Sequence, residues 1–211
     1  MPGSVGQVGE SQWKERSSQP GVGCDEALLL ARSCRGDAEA FGQLVDRYAG
    51  PIVNLCCRMV GERADGEDLA QEAFVAAYKA LPSFRADAKF STWLYRIALN
   101  KCRDWLRARR PWISLEGADD EDTPTHEWAT DERTPEGELT QRQAAEHLEQ
   151  ALQRVPHLYR EAFILKHVEG LSYEEMEALL GVRGETLKMR VYKGRVQLAR
   201  ELAEWNDLAG C

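Results

Sequence analysis

The feature that most limits how this chain can fold is an acidic segment, 111–140, lying between two stretches of helical periodicity. It holds ten carboxylates against one base, Arg133, includes the run Asp119-Asp120-Glu121-Asp122, and carries no apolar stripe at helical spacing. So much like charge with so little to bury cannot offset the entropy of ordering, and the segment reads as a flexible linker. Ile113, Leu115 and Trp128 are exceptions that a bare tether does not require, which fits part of it docking elsewhere. The segment also explains the overall charge. The chain has a net charge of -8 and the linker alone supplies -9, whereas 37–110 holds ten acids and twelve bases and 141–211 eleven acids and ten bases. The acidic balance therefore belongs to the linker and does not exclude nucleic acid from the flanking blocks.

The 211 residues leave room for two small domains beside the linker. No run of 18 uncharged apolar residues occurs, and the N-terminus lacks a basic region followed by a hydrophobic one, so the expectation is a cytoplasmic protein without membrane insertion. Residues 1–24 are rich in Gly, Ser, Gln and Pro and are expected to be a mobile extension. Six scattered cysteines include no CxxC pair, which favours reduced thiols over disulfides or a metal site. The four histidines fall one per element, and no Gly-rich phosphate loop is present. No catalytic constellation and no cofactor are expected, and the chain is read as a non-enzyme.

Between 25 and 110 the pattern is helical throughout. Ala27–Ala31 begins a first helix, and Asp37 is placed to cap a second that carries Phe41, Leu44, Val45 and Tyr48 on one side. Gly50-Pro51 is expected to break or kink it, with a further helix running to about Gly61 over Ile52, Leu55, Cys56 and Met59. Asp65 or Gly66 is expected to start the next, Glu67–Leu81, whose Asp68, Gln71 and Glu72 share one face opposite Leu69, Ala73, Ala76 and Ala77. Such a polar face serves either solvation or docking of another protein. Pro82 stops this helix and Ser91 is expected to cap its successor.

That successor, within Asp87–Arg110, mixes aromatics with bases. Phe90, Trp93, Tyr95 and Trp105, with Phe84 just before, are interleaved with cations that thicken toward Arg107, Arg109 and Arg110. Leu94, Ile97, Ala98, Cys102 and Trp105 recur at helical spacing. One reading is a surface helix with solvated arginines; the other is a surface for a phosphate backbone and unpaired bases. After the linker, 141–205 is helical again. One helix marked by Ala144, Leu148, Ala151 and Leu152 ends at Pro156, and a second holds Ala162, Phe163, Ile164, Leu165 and Val168. Ser172 and Glu175 are spaced as a capping box for a short helix with Met176, Leu179 and Leu180, and Gly181 closes it. A last helix from about Gly184 opens with Lys188, Arg190, Lys193 and Arg195, the pattern of a helix-turn-helix.

The phrases DLAQEAFVAAYKAL, FRADAKFSTWLYRIALNKCRDWL and LSYEEMEALLGV…TLKMRVYKGR, in that order around an acidic linker, resemble a bacterial RNA polymerase sigma factor of the extracytoplasmic-function group. The resemblance implies an all-α fold of two small helical domains: region 2 over 25–110 and the region 4 helix-turn-helix over 141–205, joined by the linker 111–140 and followed by a tail, 206–211. It implies that Asp68, Gln71, Glu72 and Phe74 dock on the beta-prime clamp helices of core RNA polymerase. Phe84, Trp93, Tyr95, Arg96, Asn100, Lys101 and Arg103 would meet the minus-10 element of promoter DNA. Lys188, Met189, Arg190, Tyr192, Lys193 and Arg195 would read the minus-35 element. An anti-sigma factor is implied as a partner. One departure is local: the family's Pro-Val-Gly before the recognition helix is Arg183-Gly184-Glu185 here, and Glu185 either points away from DNA or meets a cytosine amine. The competing reading is a helix-turn-helix regulator that works without core polymerase. It leaves the DLAQEAF face and the basic aromatic helix without a purpose.

Overall fold

The structure, a computed structural model, describes residues 22–84, 89–109 and 147–209, with side chains over 25–84, 89–109 and 147–203. The expectations for residues 1–21, for 85–88 and for the linker 111–140 lie outside these residues. Among the described residues all regular structure is helical, as the sequence implied. The N-terminal domain comprises α1 (Val22–Ser33), α2 (Ala38–Val60), α3 (Arg63–Ala80) with a 3-10 turn at Leu81–Ser83, and α4 (Phe90–Arg109). The C-terminal domain comprises α5 over 147–154, α6 (His157–Phe163) widening into a π turn at Ile164–Val168, α7 (Tyr173–Leu180) and α8 (Gly184–Ala209).

Asp37 caps α2 as its position predicts, its carboxylate accepting the Ala40 amide at 3.1 Å. That bond, then the Arg32 guanidinium, holds the Asp37 carboxyl below its usual range. The expected break at Gly50-Pro51 does not occur: α2 runs unbroken through Pro51. Proline in a helix interior costs about 3 kcal/mol. Ile52, Leu55, Cys56 and Met59 beyond it are fully buried on the face that buries Leu44 and Tyr48, and each such side chain contributes roughly 1.5–3 kcal/mol. Continuity of that stripe outweighs the missing bond. Having no Cβ, Gly50 avoids the clash that proline imposes on its predecessor.

Helix α3 begins at Arg63, earlier than Asp65 or Gly66. Gly66 is already inside it, donating its amide to Glu62 O at 2.9 Å, and its role lies elsewhere. A Cβ there would stand 2.6 Å from Cys57 Cα, so glycine is what lets α3 cross α2 so closely. Helix α4 likewise starts one residue before the expected Ser91 cap, at Phe90. Phe90 is buried among Tyr48, Phe84 and Trp93, at ring separations of 5.6, 5.9 and 5.7 Å, and this packing draws it into the first turn.

The C-terminal domain follows its sequence signals closely. Ser172 Oγ accepts the Glu175 amide at 3.2 Å while Glu175 accepts the Ser172 amide at 3.1 Å, completing the capping box. Gly181 adopts φ 68°, where a side chain would be strained, and ends α7 by donating to Glu177 O. Met176, Leu179, Leu187, Val191 and Leu198 close α7 and α8 over Ala162, Ile164 and Leu165. The two domains then meet, α7 lying against α4 and α5 against the end of α2.

Candidate nucleic-acid and docking surfaces

Three of the four expected docking residues share one accessible place. Asp68, Gln71 and Glu72 line an open groove of about 550 Å³ with Val75, Ala76 and Lys79 of α3 and Lys101 of α4. Phe74 is half-buried, packs against the core and does not line the groove. Lys101 Nζ reaches Glu72 at 2.9 Å, and Arg109, stacked over the Trp105 ring, reaches Asp65 at 3.0 Å. Both exposed pairs tie α4 to α3, at no more than about 1 kcal/mol each. Sequence reasoning missed Val75 and Lys79, and counted Ala76 with the buried side. The available signal was spacing: Val75 lies one turn beyond Gln71 and is an exposed apolar residue on a polar face.

The residues expected at the minus-10 element divide among three places. Phe84 and Trp93 pack against each other with ring centroids 5.0 Å apart and planes tilted by 57°, and join Phe90 in an aromatic cluster at the N-terminal end of α4. Lys101 faces the docking groove on the opposite flank. Arg96, Asn100 and Arg103 follow one face of α4, where Asn100 is exposed and accepts from Arg103 at 3.5 Å.

That face and the adjacent Tyr95 are met by the C-terminal domain. Arg96 donates to the carbonyls of Ala178 and Leu179 at the end of α7, the second at 3.2 Å. The Tyr95 hydroxyl, buried, donates to Glu169 at 2.5 Å. Arg103 pairs with Glu161 at 2.7 Å, and Lys89 with Glu175 at 2.8 Å. Burial pushes the Glu161 carboxyl up, with Arg103 opposing, and pushes Glu169 up against the Tyr95 hydrogen bond. Burial, then the Glu169 charge, raises the Tyr95 phenol. Glu161 and Glu169 are buried charges that sequence reasoning did not single out. Each falls inside or beside an apolar helical stretch, the signal that could have marked them.

On α8, Leu187, Val191 and Leu198 turn inward. Lys188, Met189 and Arg195 are exposed, while Arg190, Tyr192 and Lys193 are half-buried at the flanks. Lys188 lies 5.8 Å from the Tyr173 ring and Lys193 5.9 Å from that of Tyr159. The helix starts at Gly184 without a proline, the Leu187 amide bonding to Arg183 O at 3.0 Å, and Glu185 is exposed beside these cations. His157 and His167 are held below their ordinary range, chiefly by burial and then by Arg160 and Arg195 respectively. No group of three metal-ligating side chains occurs among the described residues.

Among the described residues the chain is a two-domain, all-helical protein whose C-terminal domain has a helix-turn-helix. Residues 44–111 match the Sigma-70 region 2 family and residues 145–198 the Sigma-70 region 4 family. The chain is 36% identical over 173 residues to the ECF RNA polymerase sigma factor SigW of Bacillus subtilis, covering 81% of this chain and 92% of that one. It is 36% identical over 177 residues to the RNA polymerase sigma-H factor of Pseudomonas aeruginosa, covering 82% and 92%. Among solved structures, CnrH in complex with the cytosolic domain of CnrY superposes with a TM-score of 0.64 at 27% identity, covering 85% of this chain and 98% of that one. The chain belongs to the ECF RNA polymerase sigma factors.

Proposed function

We propose that this protein binds core RNA polymerase and directs promoter-specific initiation, recognising minus-35 and minus-10 elements and melting the latter. It contributes no catalytic step of its own and acts in the cytoplasm. The observation that carries this reading is the groove at Asp68, Gln71 and Glu72, exposed on the same chain as a helix-turn-helix. A repressor that works alone has no use for it.

In this reading the groove takes the beta-prime clamp helices. The aromatic cluster of Phe84 and Trp93, with Tyr95, Arg96, Asn100, Lys101 and Arg103, handles the minus-10 strand. A base leaving the duplex loses stacking worth a few kcal/mol, and aromatic faces with backbone cations are what a protein offers in exchange. Lys188, Met189, Arg190, Tyr192, Lys193 and Arg195 read the minus-35 element from the major groove. The similar CnrH structure is a complex with the cytosolic domain of a second protein, CnrY, and an anti-sigma factor is proposed as a partner for this chain. Transcription in vitro from a cognate promoter is expected to require both core polymerase and this protein. Tight, specific operator binding without polymerase would support the independent regulator instead.

A further inference from the structure

Helix α8 sorts its side chains by face. At about 3.6 residues per turn, Leu187, Val191, Gly194 and Leu198 fall on one line, and all four are buried. Glu185, Met189 and Val196 fall on the opposite line and are exposed, Met189 by 42% and Val196 by 48%. The cations lie between the two lines, Lys188 and Arg195 down one flank, Arg190 and Lys193 down the other.

A helix laid in the major groove has phosphates along both flanks and base edges beneath it. Cations on the flanks suit the phosphates. The acid stands between them in the first turn, the part of such a helix that meets base edges.

We propose that Glu185 is a specificity-determining residue, its carboxylate accepting a hydrogen bond from the N4 amine of one cytosine in the minus-35 element. The proposal rests on the reading of α8 as the minus-35 helix and goes beyond it by naming a base and the side chain that selects it.

The carboxylate is free to do so. Among the described residues it takes part in no ion pair, for Lys188, three residues on, turns toward Tyr173 and lies 5.8 Å from its ring. An unpaired carboxylate brought against DNA is repelled unless a donor meets it. In the major groove guanine shows two acceptors, thymine an acceptor and a methyl, and adenine an amine beside the N7 acceptor. Cytosine alone offers a donor with no acceptor next to it on the same base. A first-turn acid also suits the positive end of the helix dipole, but that role is indifferent to base sequence.

The test uses the full-length protein reconstituted with core polymerase. The probe is a duplex DNA library randomised across both promoter elements, selected by holoenzyme binding and sequenced. The parent is expected to enrich cytosine at one upstream position. Glu185→Ala is expected to reduce that enrichment at least about fivefold and to leave the other upstream positions as they were, since one base-edge contact discriminates one base pair. Glu185→Gln, which carries a donor beside its acceptor, is expected to replace the cytosine by adenine.

A cytosine preference that survives either substitution overturns the proposal, as does its absence from the parent. So does an even change across all upstream positions, which is what relieved phosphate repulsion or a weakened helix start would give. Lys188 and Arg195, changed together to Ala, separate this proposal from the reading beneath it. If that pair weakens holoenzyme binding to the selected DNA while the Glu185 variants keep the parent's profile, α8 still reads the minus-35 element and Glu185 faces away from it. If the pair leaves binding unchanged, α8 does not lie on DNA and the reading itself falls.

Discussion

A buried carboxylate tolerates its position only if its partners are good, and Glu169 has one neutral donor, the Tyr95 hydroxyl, within 2.5 Å. Tyr95→Phe keeps the ring in the core and deletes that donor. It is expected to lower the stability of the closed protein by about 1–3 kcal/mol in urea unfolding, the usual cost of leaving a buried acceptor unmet. The same carboxyl sets a pH dependence. Because burial raises it, Glu169 binds its proton more tightly folded than unfolded. Its contribution is therefore full below the ordinary carboxyl pKa of about 4.3 and is lost as pH rises through the raised value. Glu161, raised by burial, has the same sign. Glu175 has the opposite sign: Lys89, then the Ser172 amide, lowers it, so its contribution is present above the ordinary value and lost as pH falls. Glu169→Gln removes one titrating site of the first kind. The urea midpoint of the variant is expected to fall less than that of the parent as pH rises from the ordinary carboxyl pKa, and parallel curves would contradict the assignment.

At the scale of elements, local chemistry was written plainly and tertiary compensation was not. Asp37, the Ser172–Glu175 box and Gly181 act within one turn of their own positions, so their roles could be read from residue order alone. Pro51 misled because the break it favours is overridden by burial of Ile52, Leu55 and Met59, and that depends on what α2 packs against. Gly66 misled for the same reason: it looked like a helix start and is a crossing point. Its replacement is accordingly severe. Gly66→Ala puts a methyl 2.6 Å from the backbone of Cys57, and overpacking of this kind typically costs about 1–3 kcal/mol. Thermal unfolding is expected to show that loss, whereas Gly42→Ala, on α2 with open space around it, is expected to show none. That Asp68, Gln71 and Glu72 share one face was legible because they repeat along one helix. The contact of α4 with the C-terminal domain was not, because Arg103 and Glu161, like Tyr95 and Glu169, are brought together across separate domains.

For the whole molecule, the closed arrangement treats its two kinds of surface differently. The groove at Asp68, Gln71 and Glu72 lies on the flank of α4 that carries Lys101, away from the flank whose Arg96 and Arg103 bond to the C-terminal domain. Changing Asp68 and Gln71 together to Ala is expected to weaken association with core polymerase by about tenfold or more, in the range where two interface hot spots are lost. The thermal stability of the free protein should be unaffected, since neither residue touches the domain contact. Asn100→Ala should behave in the reverse way, lowering open-complex formation on a cognate promoter while leaving core association intact. Unchanged core binding would mean that the groove is not the docking site.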